Sequence, residues 1–262
     1  MRRWIGRFAV LTMLVGLSAM SACDTGPEIV PAKFISRPSR IDIDNAYPAF
    51  ARMAHIPGRV RMRCEYSTVG VLERCRKLAV APEGMNFDKW VPRLLSKYVV
   101  QPQTLGGAVA PAPIEFTIVF DPPTQPPPIA DVAPTDAEMA IMRRGLSLNL
   151  DLETRIAQDA AARSVELDRM NVVREIVDHA YAAEGHDRRD VLMRGIIEAM
   201  SSDQRAELLS RPNYMVLPNR LEVERISPTY FARSQALATR MRTEYCAAYS
   251  CSAELPTAAA AR

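Results

Sequence analysis

The sequence predicts an α+β protein: a small module with an α-β-β-α-β order and an antiparallel sheet over residues 45–121, followed by an all-α domain over residues 135–252. Two observations support this. Polar and apolar residues alternate from Arg59 to Tyr66, which is the period of a strand buried on one face. After a proline-rich linker at residues 122–134, helix formers and helix-capping signals dominate the chain.

Each element of the module has its own local pattern. The second strand alternates less cleanly than the first, which allows a bulge, and Pro92 fits the first turn of the following helix or kinks its axis. The predicted elements are, in order, a helix over 47–54, strands over 59–66 and 71–80, a helix over 87–98, a loop over 101–113 and a strand over 114–120.

The sequence predicts that the second half of the chain is helical throughout. Thr135 and Glu138 form a capping box that opens a first helix, which we expect to run to about Arg144. Apolar periodicity over 150–181 predicts one long helix or two, broken by Gly185. Further helices are predicted over 191–200, 201–209 and 227–249, and the Ala-rich tail at 253–262 is expected to be disordered.

The module resembles the TonB C-terminal domain family in its element order and in the spacing of its marker residues. These are Tyr47-Pro48, Gly58-Arg59-Val60, Gly70, Cys75, Tyr98, Pro102, Gly106-Gly107 and the closing strand to Phe120. The resemblance implies a periplasmic binding module, which grips a partner's peptide by adding it to a sheet edge. It implies no enzymatic activity and no cofactor.

The first 23 residues are typical of a secretory signal peptide. Three arginines flank an apolar run from Phe8 to Met20, which is short for a membrane-spanning helix. The sequence Met20-Ser21-Ala22-Cys23 resembles a bacterial lipobox and predicts lipidation of Cys23, with simple cleavage as the alternative. Residues 24–44 contain three prolines and are predicted to be an extended tether. We therefore expect a periplasmic, membrane-anchored lipoprotein.

Charge argues against nucleic acid as a partner. Residues 1–23 hold three arginines and no acid, so the rest of the chain carries 30 of the 33 basic residues and all 30 acidic ones. A neutral mature chain has no general electrostatic attraction for nucleic acid.

An alternative to a lipoprotein is an uncleaved N-terminal anchor on an energy transducer that supports outer-membrane uptake.

The four remaining cysteines suggest an oxidising compartment. If a hairpin turns at Val69-Gly70, Cys64 faces Cys75 across the two strands, close enough for a disulfide; two buried free thiols are the alternative. A bond between Cys246 and Cys251 requires the last helix to end near Tyr249, because positions five apart on a helix point in different directions.

Two features of the module are candidates for binding. Alternation sends one set of arginines to the outer side of the sheet, and the last strand contains no proline and can present an open edge. The candidate residues are Arg59, Arg61, Arg63, Arg74 and Arg76 in the basic patch and Glu115, Thr117 and Val119 on the edge strand. The partner would be an envelope protein or peptide bound by β-augmentation, or an anionic wall polymer such as peptidoglycan; a solvated sheet face is the alternative.

Catalytic motifs are missing from the sequence. It contains no Gly-x-Ser-x-Gly elbow, no phosphate-binding loop and no His-Glu-x-x-His. His179 and His186 are seven residues apart beside aspartates, which would suit a metal site on a continuous helix, but Gly185 should end that helix first. The sequence therefore predicts a non-enzymatic protein without a metal, and a metal-dependent enzyme in the helical half remains the competing hypothesis.

Overall fold

A three-stranded antiparallel sheet, with its strands in the order β4-β3-β8, is the framework of the first half of the chain. The computed structural model describes residues 27–110, 112–122, 133–211, 217–218 and 220–256. The predicted signal peptide, the lipidation site Cys23, most of the proline-rich linker and the last six residues of the tail lie outside these ranges. The strands are β1 (Ile29–Val30), β2 (Lys33–Ser36), β3 (Gly58–Tyr66), β4 (Leu72–Ala81), β5 (Val99–Gln101), β6 (Thr104–Leu105), β7 (Ala108–Val109) and β8 (Ile114–Phe120).

Helices make up the rest of the regular structure. In the first half they are α1 (Arg40–Asn45), α2 (Ala49–Met53), α3 (Phe87–Trp90) and α4 (Pro92–Leu95). In the second half they are α5 (Asp136–Gly145), α6 (Leu150–Ala162), α7 (Met170–Ala182), α8 (Arg188–Ala199), α9 (Ser202–Ser210), α10 (Arg220–Ile226) and α11 (Pro228–Ala248). Short 3₁₀ turns, Leu167–Arg169 and Gly185–Asp187, precede α7 and α8. The predicted α+β class with a helical C-terminal region is confirmed.

The segment predicted as a tether is ordered, which corrects that prediction for residues 27–44. β1 pairs with β6 and β2 pairs with β5, and both pairs are antiparallel. Ser39 then caps α1 through a reciprocal capping box with Asp42. The prolines of this segment interrupt two short strands without preventing them, because only the proline positions themselves lack a backbone donor.

Two elements of the module differ from their predicted form. The helix expected over 87–98 is split at Val91 into α3 and α4, because Pro92 cannot donate a backbone hydrogen bond and instead opens the second helix. The loop expected over 101–113 contains a small hairpin, β6 and β7, which turns at two glycines with positive φ, Gly106 and Gly107. Glycine adopts positive φ values at little energetic cost because it has no Cβ atom.

Two helices, α6 and α7, cover the stretch over 150–181, for which the sequence had allowed either one long helix or two. α6 and α7 are separated by residues 163–169, and they pack on each other. α10 was not predicted. α11 ends at Ala248, and the extended backbone of Tyr249 (φ −135°, ψ 155°) redirects the chain. No helix among the described residues is long and apolar enough to cross a membrane.

Both predicted disulfides are present. Cys64 on β3 is bonded to Cys75 on β4, with a Cα–Cα distance of 4.0 Å, and Cys246 is bonded to Cys251 across the end of α11. The second bond is possible because the helix stops where the sequence analysis required it to stop. Disulfides persist in oxidising compartments, so the chain functions outside the cytoplasm.

One hydrophobic core connects the two halves of the chain. Phe50 on α2 is fully buried, and its ring lies 5.1 Å from that of Tyr245 on α11. The same core takes in Val60 of β3, Val173 of α7 and Leu237 of α11. A smaller second cluster, built around Met142, Met193 and Ile197, holds α5 against α8.

Polar contacts reinforce the junction between the halves. The backbone N–H of Phe50 donates to the buried hydroxyl of Ser164 at 2.8 Å. Arg169 donates to the carbonyl oxygen of Glu83 at 2.8 Å and to the hydroxyl of Tyr245 at 2.7 Å. Hydrogen bonds between buried groups favour one packing arrangement, so these contacts help to hold the helices and the sheet at defined positions.

Candidate functional site

The predicted binding residues lie on β3, β4 and β8 because of the strand period. Val60, Met62 and Cys64 of β3 are buried against the core, so the alternate residues point to the opposite side of the sheet. We call this outer side the arginine face, and its residues are Arg59, Arg61 and Arg63 of β3, Arg76 of β4, and Glu115, Thr117 and Val119 of β8.

Cross-strand register brings these residues together. Arg63, at the centre, stands opposite Arg76 on one side and Glu115 on the other. Arg61 stands opposite Thr117, and Arg59 stands opposite Val119. Since directly paired residues share a face, seven of the eight predicted binding residues belong to one continuous surface.

The eighth predicted residue, Arg74, occupies an irregular position. Its φ is +44°, at a break in the β3–β4 register between the pairs Arg63–Arg76 and Glu65–Glu73. The break is a bulge, which the uneven alternation of this strand had suggested. Arg74 turns toward Glu65 and forms an exposed ion pair with it at 2.9 Å.

The arginines differ in how they are paired. Arg63 contacts Glu115 at 3.4 Å, and exposed pairs of this kind are screened by water and add little stability. Arg61 donates to the carbonyl oxygen of Pro256 at 3.4 Å, while its Nε is buried without a hydrogen-bond partner. Within the described residues Arg59 and Arg76 form no ion pair, so both remain able to receive an anionic group.

A half-open cavity of about 700 Å³ lies at the hairpin end of the arginine face. Its charged lining consists of three arginines and two glutamates, and its other walls come from the turn after β3 and from the chain before β8. The cavity lining includes Arg63, Arg74, Arg76, Glu65, Glu73, Tyr66, Thr68, Val109 and Pro113. Guanidinium groups bind carboxylates and phosphates through paired hydrogen bonds, so this cavity suits an acidic ligand.

The edge of the sheet at β8 is regular and unpaired in the described part of the chain. Seven successive residues, Gly58 to Cys64, pair with Phe120 to Ile114 without a register shift. No other described strand bonds to β8. Thus every second residue of β8 directs its backbone groups away from β3.

The opposite edge of the sheet, at β4, is poorly suited to pairing. Its register with β3 shifts twice, and its sequence carries four charged residues between Glu73 and Lys77. The disulfide to Cys64 further constrains the strand at its bulge. Natural sheets use charges and bulges to prevent unwanted strand addition, and β8, with Glu115 as its single charged residue, has neither protection.

The histidines singled out in the sequence are not brought into a metal site by any observed contact. His179 Nδ1 lies 2.9 Å from Glu244 Oε1, and this carboxylate raises the pKa of His179. His186 lies in the 3₁₀ turn after α7, as the break at Gly185 suggested. Among the described residues no cluster of three or more His, Cys, Asp or Glu side chains could hold a metal ion.

A buried charged network between helices was not visible in the sequence. Arg233 of α11 donates to Glu184 at 2.9 Å and to Glu153 of α6 at 3.1 Å, and Arg188 of α8 contacts the same two carboxylates. Burial is the main cause that raises the pKa of the adjacent Tyr181 to about 12. Because each cation contacts two anions, the network links the helices. Only Glu184 and Arg188 are close in sequence, four residues apart, so no local pattern reveals the contacts with Glu153 and Arg233.

Comparison of the chain with protein-family models, with curated proteins and with solved structures finds no match. The geometry of the sheet is therefore the basis for any functional assignment.

Proposed function

We propose that this chain is a non-enzymatic binding protein of the bacterial cell envelope, which captures an extended segment of a partner by pairing it with β8. The observation that carries the proposal is the difference between the two sheet edges. β8 pairs with β3 without a register shift and contains no proline, whereas β4 is bulged, charged and cross-linked to β3. Edge strands of the first kind accept an added strand through backbone hydrogen bonds.

The arginine face supplies specificity to the same site. An added strand would lie two strand spacings from β3, or about 10 Å. Arg59, Arg61 and Arg63 extend from β3 on the side toward which alternate residues of the added strand would point. An arginine and an acidic side chain together can cover that distance, so the preferred segment alternates acidic residues with residues of high strand propensity.

Location supports an envelope role. The disulfides indicate a chain outside the cytoplasm, and the sequence before residue 24 has the features of a lipoprotein signal. We propose that the mature protein is periplasmic and held at a membrane by a lipid on Cys23, with an envelope protein, or the peptide portion of the cell wall, as the partner.

The test is photo-crosslinking in the native envelope. A benzophenone amino acid at Thr117 or Val119 should give one discrete crosslinked product, and the same probe at the exposed Leu209 of α9 is the matched control. A synthetic peptide with the crosslinked sequence should then bind the purified protein, and R59E/R63E should weaken that binding about tenfold or more. Absence of a discrete product at both β8 positions, or peptide binding that is indifferent to the charge reversal, would refute the proposal.

A further inference from the structure

β1 and β2 together form one interrupted ladder with β5 and β6. Ile29 pairs with Leu105 and Val30 with Thr104; beyond a two-residue gap, Lys33 pairs with Gln101 and Phe34 with Val100. The register is the same on both sides of the gap. The interruption falls at Pro31 and Pro102, which cannot donate to a ladder.

The two sides of this ladder differ along β2 and β5. Phe34 and Val100 turn inward, where the ring of Phe34 lies 5.1 Å from Phe116 of β8. The opposite side is exposed, and we call it the ladder face. It contains Ile29 (62% exposed), Lys33, Ile35 (64%), Leu105 (43%) and, beside Val99, Val71 (52%).

The ladder face carries no negative charge. Its alternate positions are Ile29, Pro31, Lys33 and Ile35 on one side and Val99, Gln101, Gln103 and Leu105 on the other. Lys33 is exposed and makes no ion pair with any described residue. Exposed apolar groups of this number, with one unpaired cation among them, indicate an interaction surface.

Chain length determines what this surface can meet. Ile29 follows Cys23 by six positions, and six extended residues span at most about 22 Å. A lipid on Cys23 would therefore keep β1 within that distance of the bilayer surface. Along β2 and β5 the inward side of the ladder packs on the protein, so the ladder face is the side of these two strands that is free to meet lipid. At β1, Val30 on the other side is exposed as well.

We propose that the ladder face lies on the membrane surface, with Ile29, Ile35 and Leu105 at the boundary of the acyl chains and Lys33 among anionic headgroups. This inference rests on the proposed lipidation of Cys23. Each apolar contact is weak alone, but the lipid makes docking intramolecular, so a small patch is sufficient. Docking would orient the sheet relative to the bilayer rather than add a second anchor.

The experiment uses the full chain, purified from membranes and reconstituted in vesicles that contain anionic phospholipid with brominated acyl chains. Tryptophan is placed at Leu105 or, as a matched control, at Leu167, which is 88% exposed in the 3₁₀ turn before α7. Bromine quenches nearby indole emission. We expect loss of the added emission for L105W and none for L167W, with the native Trp90 as the common background. Equal quenching at both positions, or none at Leu105, would overturn the proposal.

A charge reversal tests the role of the cation. K33E should reduce the quenching of L105W in anionic vesicles, whereas K89E, on α3, should leave it unchanged. Crosslinking of position 105 to a protein in place of lipid quenching would assign the face to a protein partner and refute the membrane assignment. The intact mass of the purified protein reports on lipidation separately. If Cys23 carries no lipid, the anchor is wrong, while quenching of L105W by added vesicles still decides whether the face binds membrane.

Discussion

Gly70 and Gly107 share a left-handed backbone but differ in their surroundings. Their φ values are 83° and 82°. A side-chain carbon at Gly70 would lie 1.9 Å from the carbonyl oxygen of Val100, whereas at Gly107 no atom lies within 4 Å. Glycine is therefore required at position 70 both for the turn of the β3–β4 hairpin and for the close approach of β5. At position 107 only the turn requires glycine.

Alanine at the two positions should separate strain from steric clash. We expect G107A to lower the free energy of unfolding by about 1 kcal/mol, the cost of a left-handed non-glycine residue. G70A should lower the free energy of unfolding by clearly more, because it also displaces β5 from its contact with the hairpin. Urea unfolding of both variants measures the difference, and equal losses would contradict this account.

Glu138 is the residue from which a pH dependence of stability is expected. Its carboxylate is buried and accepts a hydrogen bond from Arg205 at 2.6 Å. That bond, with those from Thr135, outweighs burial and lowers the pKa of Glu138 from 4.5 to about 2. A lowered pKa means that the pair stabilises the folded state above pH 4.5, and that this contribution is lost as the pH falls toward 2.

E138Q should therefore be destabilised most at neutral pH. We expect E138Q to lose about 3 kcal/mol of unfolding free energy at pH 7, as for a broken buried ion pair. The difference in unfolding free energy from the unmodified protein should shrink as the pH falls from 4.5 toward 2. Urea unfolding across this pH range provides the measurement. E175Q, at an exposed position of α7, should track the unmodified protein throughout; a gap for E138Q that does not vary with pH would rule out the assigned ionisation.

Elements in which one sequence pattern dominates could be predicted. The alternation in β3 and the absence of proline in β8 predicted both strands and their outward residues. The capping box at Thr135 predicted where α5 begins. The absence of proline also made β8 the candidate edge strand, and β8 does lie at the edge of its sheet. Its pairing with β3 could not be derived from the sequence, because strand order depends on tertiary packing.

Short elements were missed for a physical reason. β1, β6 and β7 have two residues each, too few for periodicity to register, and they form because their partners are held nearby. The proline-containing segment over 24–44 resembles a linker in composition. Within its described part, the pairing of β1 and β2 with β6 and β5 distinguishes it from one. The Arg233 network likewise depends on the assembly of α6, α8 and α11 with the turn that contains Glu184.

Removal of each disulfide should have a different effect. In the chain-entropy description, replacing Cys64 and Cys75 by alanine should lower stability by about 3 kcal/mol, and replacing Cys246 and Cys251 by about 2 kcal/mol, since the second loop is shorter. The first change affects β4 and its bulge, and the second frees residues 250–256 from α11. Denaturant unfolding of both double variants tests the order, which would be refuted if the Cys246–Cys251 pair proved the more important.

The shared core makes the folding of each half of the chain depend on the other half. Phe50, Ser164 and Tyr245 join the first helices of the module to the helical half. Composition suggested two units separated by a proline-rich linker, and no local signal in the sequence indicates that their apolar surfaces are complementary. We therefore expect the described structure to unfold as one cooperative unit.

Two probes can test this cooperativity. Trp90 lies in the module and is the only tryptophan after the signal segment, so its fluorescence reports on the first half, while far-ultraviolet circular dichroism reports mainly on the helices. The two denaturation curves should coincide. S164A, which leaves the N–H of Phe50 unpaired, should shift both curves by the same amount, with the exposed S210A as its control. Separate transitions would show independent units.

The contact between Phe50 and Tyr245 has a consequence for biogenesis. A polypeptide that emerges on the far side of a membrane from its amino end exposes Phe50 long before Tyr245 follows. The early segment must then wait, with its apolar groups unprotected, until the final helix has been delivered. Closure of this core thus depends on the delivery of α11, and factors outside the cytoplasm that hold unfolded chains have their greatest opportunity to act in that interval.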